Sequence, residues 1–200
     1  SVVGNNEELV LGSDADWVNI YTGRDVTGLR VTATGDQDRR IWINGNATYP
    51  IAQIEIAGGN NYIVSGNGAT LHLTLGAGND TVYGSVGSDV IDLGAGDDIV
   101  PSAHRGHDTI HGGAGGDWIG GERGNDVLYG GAGNDTLVGG DGDDVIHMDA
   151  GADSVQGGAG GDRFVGYRTE CIQRVADLSA GDVLDLSRWA SLQPVHVRQV

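Results

Sequence analysis

Two hundred residues with 37 glycines, a single cysteine and a net charge of −17 describe one elongated, acidic domain rather than two globules. That charge disfavours nucleic acid and anionic membrane surfaces as partners, and one cysteine leaves no internal disulfide to staple the fold. No N-terminal hydrophobic signal segment stands out, and no apolar run is long enough to cross a bilayer.

Residues 1–74 carry short apolar pairs with one residue between their members: Val18/Ile20, Leu29/Val31, Ile41/Ile43, Ile54/Ile56 and Leu71/Leu73. Their spacing drifts, and Gly12, Gly23, Gly35, Gly45, Gly58 and Gly66 punctuate it, which predicts short strands separated by turns. The segment reads as a degenerate β-solenoid or β-cap, with a separate β-sandwich as the alternative. Within it, GSDADWV (12–18) resembles an imperfect copy of a motif that becomes regular later, with Asp14 and Asp16 as its acidic residues. GGNNYIV (58–64) keeps the strand and lacks the aspartate.

From Leu75 to Val165 a nine-residue sentence repeats ten times, most clearly as GGAGNDTLV (130–138), GGDGDDVIH (139–147) and GGAGGDRFV (157–165). Position six is always aspartate: Asp80, Asp89, Asp98, Asp108, Asp117, Asp126, Asp135, Asp144, Asp153 and Asp162. Position eight is always apolar: Val82, Ile91, Val100, Ile110, Ile119, Leu128, Leu137, Ile146, Val155 and Phe164. One extra residue interrupts the step between Asp98 and Asp108. Positions seven to nine suffice for a three-residue strand whose middle side chain points inward. Two loops and two strands then make one turn of a parallel coil, and turns must stack roughly 4.8 Å apart to bury their apolar faces. Glycine lets consecutive carbonyls turn toward one point, and one short carboxylate per loop adds a hard oxygen. A hard cation such as calcium takes six to eight such oxygens at about 2.3–2.6 Å. Stacking brings loops one turn apart together, so neighbouring aspartates share an ion.

This pattern resembles the RTX (hemolysin-type) β-roll of bacterial secreted proteins, as in serralysin-type proteases, lipases and the R-modules of mannuronan epimerases. The resemblance implies an all-β, right-handed parallel β-roll with calcium held between paired loops. In that family one loop gives the carbonyls of positions two and four plus its aspartate, and the next gives those of positions one and three plus its own. Carried onto this sequence, one edge pairs Asp80/Asp98, Asp98/Asp117, Asp117/Asp135 and Asp135/Asp153. The other pairs Asp89/Asp108, Asp108/Asp126, Asp126/Asp144 and Asp144/Asp162. The implied carbonyl ligands are those of Gly76 and Gly78, of Gly94 and Gly96 facing Gly112 and Ala114, and of Gly113 and Gly115 facing Gly130 and Ala132. Gly131 and Gly133, Gly139 and Asp141, and Gly140 and Gly142 facing Gly157 and Ala159 complete the set. Up to about eight Ca²⁺ ions would nearly neutralise the net charge of −17. Ser85, Glu122 and Asp149 replace glycine at position two, and the Ser102–Asp108 loop carries the insertion and has lost most of its glycines, so full occupancy is not expected there.

Residues 166–200 resemble the closing cap of such rolls, through Ile172, Val175, Asp177 and Leu178 followed by GDVLDLS (181–187), with Leu178 where the family usually has phenylalanine. A cap covers the strand edges that an open end would expose. Ser187 to Leu192 reads as a short helix with Trp189 packed down. Glu170 and Asp177 read as surface charge rather than as last calcium ligands.

No H-E-x-x-H zinc site and no G-x-S-x-G nucleophile elbow is present, and we expect no enzyme. His104, His107 and His111 read as solvated loop histidines rather than a transition-metal site. Position nine on one face reads Asp92, His111, Tyr129, His147, one per turn, a polar and aromatic ribbon that would suit an extended polysaccharide. The resemblance thus implies a secreted or cell-surface calcium-binding module, exported by a type I system, that folds on meeting calcium outside the cell and acts as staple, spacer or adhesion element. A carbohydrate-binding module, or the non-catalytic end of a larger secreted protease, lipase or epimerase, is the alternative.

Overall fold

The computed structural model describes residues 2–3, 8–12, 17–22, 29–45, 51–66, 70–167 and 173–188. Among them there is no helix, and the strands alternate between two sheets of ten. The odd sheet stacks β1 (Val2–Val3), β3 (Trp17–Thr22), β5 (Arg40–Gly45), β7 (Tyr62–Ser65), β9 (Thr81–Tyr83), β11 (Ile99–Ser102), β13 (Trp118–Arg123), β15 (Thr136–Asp141), β17 (Ser154–Ala159) and β19 (Arg174–Val175). The even sheet stacks β2 (Glu8–Leu11), β4 (Arg30–Ala33), β6 (Ile51–Ile56), β8 (Leu71–Thr74), β10 (Val90–Asp92), β12 (Thr109–Ala114), β14 (Val127–Ala132), β16 (Val145–Met148), β18 (Arg163–Gly166) and β20 (Val183–Asp185). Each strand pairs in parallel with the strand two places on, the signature of a β-solenoid with two strands per turn.

The register follows the apolar position. Ile91, Ile110, Leu128, Ile146, Phe164 and Leu184 lie in line in the even sheet, and Val82, Ile63 and Ile41 in the odd one. All ten position-eight side chains of the repeat are buried, and they continue without a break into Ile63, Ile54, Ile41, Val31 and Leu29. One thin aliphatic core therefore runs the length of the coil. The strands described before residue 75 belong to the same two sheets, so this part of the chain is more solenoid and not a separate β-sandwich. Its loops are longer, which is why the apolar pairs drift in sequence while staying in line in space.

The extra residue between Asp98 and Asp108 is absorbed as a bulge. Ile99 pairs with Thr81, yet Ser102 rather than Pro101 pairs with Tyr83, and the regular register resumes with Ala95–Ala114 and Arg105–Arg123 on either side. At the far end β19 and β20 close the two sheets. Ser187 and Arg188 form a turn; the remainder of the expected helix to Leu192, with Trp189, lies outside the described residues, as do Asp14, Asp16, Glu170 and Ile172.

Candidate metal centres along the two sheet edges

The repeat loops run along the two edges where the sheets meet, each ending on its position-six aspartate, and all ten aspartates are buried. Each one's Oδ1 is tied to the turn before. On one edge the backbone N–H of Asp80 donates to Asp98 Oδ1 (2.7 Å), Asp98 to Asp117 (2.9 Å), Asp117 to Asp135 (2.9 Å) and Asp135 to Asp153 (3.1 Å). On the other, Asp89 donates to Asp108 (2.7 Å), Asp108 to Asp126 (2.8 Å), Asp126 to Asp144 (2.8 Å) and Asp144 to Asp162 (3.0 Å). The aspartates paired in the sequence are therefore neighbours, one turn apart.

The second oxygen is different. Oδ2 of Asp80, Asp98, Asp108, Asp117, Asp126, Asp135, Asp144, Asp153 and Asp162 is buried without a hydrogen-bond partner. In five of these loops, those of Asp117, Asp126, Asp135, Asp144 and Asp162, it rests against a glycine at position one of the same loop. A Cβ added at Gly112, Gly121, Gly130, Gly139 or Gly157 would overlap that oxygen. At Gly112, Gly121 and Gly139 the same Cβ would also lie 2.6, 2.8 and 2.6 Å from the carbonyl oxygen of Gly130, Gly139 and Gly157, one turn on. A carboxylate oxygen and a carbonyl oxygen thus face one point at these three loops. A cation or a proton between them makes such a meeting favourable.

Without one, ionisation is costly. Burial, together with the neighbouring aspartates of the ladder, pushes the Asp98 and Asp144 carboxyls up to about 7 and Asp108 to about 8. Burial lifts Asp80 and Asp135 to about 6, and raises Asp89, Asp117, Asp126, Asp153 and Asp162 as well. Asp89 is the exception in its contacts. Ser85, which replaces glycine at position two, donates its N–H to Asp89 Oδ2 and its hydroxyl to Oδ1, both at 2.7 Å, and Leu71 N–H also donates to Oδ1. The Asp89/Asp108 pair, already weakened in sequence by the insertion, therefore has one carboxylate satisfied by protein.

Backbone carbonyls line the rest of each loop. Position-two carbonyls of Gly76, Gly94 and Gly131 accept the N–H of Ala95, Ala114 and Ala150, one turn on. Position-three carbonyls of Ala95, Ala114, Ala132, Asp141 and Ala159 accept the N–H of Gly78, Gly96, Gly115, Gly124 and Gly142 of the turn before. Each accepts one bond and keeps a second lone pair. Most of these carbonyls are turned by a left-handed backbone at positions two and four, as at Gly131 (φ 99°) and Gly133 (φ 146°). The same conformation recurs at Gly94/Gly96, Gly113/Gly115, Gly140/Gly142 and Gly158/Gly160. His104 (φ 74°) and Glu122 (φ 77°) hold it at position two without being glycine, so of the four loops that lack glycine there, with Ser85 and Asp149 in the other two, these are the strained ones.

Among the described residues no three His, Cys, Asp or Glu side chains converge on one point. That fits a loop offering one carboxylate and several carbonyls, and it separates the histidines. His104 and His107 sit at positions two and five of one loop, and His107 Nδ1 accepts the N–H of Asn125 (2.8 Å), while His111 lies at position nine on the sheet face. There Asp92, His111, Tyr129 and His147 are consecutive in register. The rings stack along the coil, His111 on Tyr129 at 4.3 Å and Tyr129 on His147 at 4.1 Å, with Tyr167 tilted beyond them. Their faces cover one another along the coil.

Two features went unread in the sequence. Position five carries its own ladder: its side chain accepts the N–H of position five in the following turn. Asp38, Asn60, Asn79 and Asp97 hold Asn60, Asn79, Asp97 and Gly116 in this way, and on the other edge Ser88, His107, Asn125 and Asp143 hold His107, Asn125, Asp143 and Gly161. The recurring Asn-Asp and Asp-Asp dipeptides were its signal. The aspartate ladder also ends on surrogates. Asp182 Oδ1 accepts Asp162 N–H and Gln173 Oε1 accepts Asp153 N–H, both at 2.9 Å. Asp177 is not plain surface charge: its carboxylate takes the N–H groups of Gly157 and Gly158.

A family model of the RTX calcium-binding nonapeptide repeat (4 copies) matches residues 72–100, 102–128, 111–146, 120–155 and 138–168. The comparisons with curated proteins and with solved structures gave no match.

Proposed function

The stretch from residue 72 to 168 belongs to the RTX calcium-binding repeats, and from that premise we propose a secreted or cell-surface module that folds on binding calcium outside the cell. The observation that carries the proposal is the set of nine buried Oδ2 atoms without a partner. Each would be a calcium ligand, joined by the carbonyls of positions two and four of its loop and of positions one and three of the loop one turn on. Bound calcium would supply positive charge between oxygens that otherwise repel. Extracellular calcium modules operate at about 10⁻⁴–10⁻³ M, far above cytosolic levels, so the repeat region would stay unfolded before export and fold after it. The resulting rod is a non-catalytic folding staple, spacer or adhesion element. The Asp89/Asp108 site is the weakest of the series, because Ser85 already satisfies Asp89.

Circular dichroism during a calcium titration, with magnesium as control, tests the proposal. A cooperative gain of β-structure with calcium alone is expected, since magnesium demands near-ideal octahedral geometry and keeps its waters. A repeat region fully folded in chelator and indifferent to calcium would sink it.

A further inference from the structure

The aspartate position can be followed back beyond Asp80. Arg40 pairs with Tyr62 and Tyr62 with Thr81, so the residues just before them, Arg39, Asn61 and Asp80, occupy one position in three successive turns. Arg39 is 1% exposed. A buried arginine is ordinarily paired with a carboxylate, yet Arg39 forms no salt bridge among the described residues. Its guanidinium instead donates to three backbone carbonyls: Thr34 (3.1 Å) and Gln37 (2.9 Å) of its own loop, and Gly58 (3.5 Å) of the next. In repeat numbering these are positions one and four of one loop and position three of the loop one turn on. Asn61 is intermediate. Its Nδ2 donates to the Gly59 carbonyl (2.7 Å) and to Asp80 Oδ1 (2.8 Å), making it a neutral donor where its neighbours are cation and anion. On the opposite edge the corresponding position holds Leu29 and Leu71, both buried and apolar.

We propose that Arg39 is a built-in substitute for calcium. Its guanidinium occupies the inter-loop site, takes two of the carbonyls that a metal would take there, those of Gln37 at position four and of Gly58 at position three of the next loop, and lets the N-terminal turns close without any ion. The planar fork suits this because it presents several donors in fixed directions and is weakly hydrated for a cation. The chain then has a calcium-independent half, β3 to β8, whose last turn is a ready template for the first calcium-dependent one. In a solenoid each turn is stabilised mainly by its neighbour, so a preformed end removes the cost of starting the coil. Calcium binding begins at the Asp80/Asp98 pair and runs toward the cap.

The inference rests on the calcium reading of the downstream loops, but its decisive arm is metal-free. Hydrogen exchange read by mass spectrometry on the full chain in chelator is expected to show protected amides in β3 to β8 and exchanging ones in β12 to β18. Arg39→Met in chelator should speed exchange in β5 and β7 by more than about tenfold, as expected for losing charge-assisted hydrogen bonds. Arg39→Asp should lose the same protection, regain it on adding calcium, and bind one more calcium than the wild-type chain in equilibrium dialysis. Wild-type β3 to β8 exchanging freely in chelator, Arg39→Met as protected as wild type, or an unchanged calcium count for Arg39→Asp would each overturn the proposal. If β12 to β18 proved indifferent to calcium, the calcium reading would fail while the Arg39→Met arm still decided the role of Arg39.

Discussion

The two halves of this solenoid share a cross-section and differ at its edges. Before residue 75 and after it, two strands per turn bury one aliphatic row, and Ile41 is as fully enclosed as Ile110. What changes is how the loops close. In the first half the edge positions hold Arg39 and Asn61, which donate to neighbouring carbonyls and leave only Arg39 Nε and Asn61 Oδ1 without a partner, and the apolar Leu29 and Leu71. In the second they hold aspartates, nine of the ten with an outer oxygen that has no partner. A stacked sheet tolerates either closure, because the core fixes the turn and the edge only has to end without an orphaned charge. The calcium-binding repeat half is the more regular, as expected where an ion demands the same oxygens at every site, whereas side-chain closures tolerate different loop lengths.

The largest effect should come from the middle of the aspartate ladder. Asp135 faces Asp117 on one side and Asp153 on the other, so Asp135→Ala removes a carboxylate from two adjacent sites. The calcium midpoint in a circular dichroism titration is expected to rise at least about tenfold, the size of losing one charged interaction per site. Asp162, at the end of its edge, faces one repeat aspartate, and Asp162→Ala should shift the midpoint less. Equal shifts would mean the aspartates do not share ions.

Acidity should separate the halves next. The repeat carboxyls have folded-state pKa values lifted by burial, to about 6 for Asp80 and Asp135, about 7 for Asp98 and Asp144, and about 8 for Asp108. The folded, metal-free form therefore holds protons that the unfolded chain has released, and stability falls as pH rises. It is greatest below the ordinary aspartate value of about 4 and is lost progressively between there and about 8. Exchange in chelator from pH 4 to pH 8 should show the repeat region opening across this window. The turns closed by Asn61, Leu29 and Leu71 should hold, since those positions carry no carboxylate. Calcium affinity should fall in the same window on acidification, because protons compete for the same oxygens. A pH-independent repeat region would contradict the burial of these groups.

The regular half was legible because its period is fixed. Once position six is aspartate and position eight is apolar in every copy, the turn length and the pairs Asp80/Asp98 through Asp144/Asp162 follow. The first half hid the same layout behind variable loops. Arg39 stands where an aspartate would be, but without the pairing of Arg40 with Tyr62 nothing in the sequence places it there. The cap hid its surrogates for a similar reason: Asp182 and Gln173 lie twenty residues beyond their partners rather than eighteen, so counting by repeats passes over them. Position five was visible as a composition bias and unreadable as a bond, because its acceptor role appears only when turns are stacked.

Glycine substitutions give a smaller effect that isolates metal-loop geometry from backbone conformation alone. Gly35 (φ 94°) and Gly131 (φ 99°) share a left-handed backbone, but a Cβ at Gly35 meets nothing within 4 Å, whereas one at Gly131 would overlap the Gly113 carbonyl. Gly35→Ala should cost only the conformational penalty of about 1–2 kcal/mol. Gly131→Ala should cost more and also raise the calcium requirement, because the carbonyl it displaces is one of the proposed calcium ligands. Urea unfolding at saturating calcium measures both, and equal costs would show that crowding at these loops is relieved without consequence.

The smallest difference expected between the halves is at position five, which both use in the same way. Asp38 Oδ1 accepts Asn60 N–H in the first half, and Asn134 Oδ1 accepts Ala152 N–H in the second, each at 2.8 Å and each at an exposed site. A side chain that straps one turn to the next should contribute about 0.5–1.5 kcal/mol whichever half it lies in. Asp38→Ala and Asn134→Ala should therefore lower stability in urea by similar amounts, and neither should move the calcium midpoint much. If Asn134→Ala instead shifted that midpoint as Asp135→Ala does, position five would be part of the metal loop rather than a strap. The division between the halves would then reach beyond position six into the whole loop.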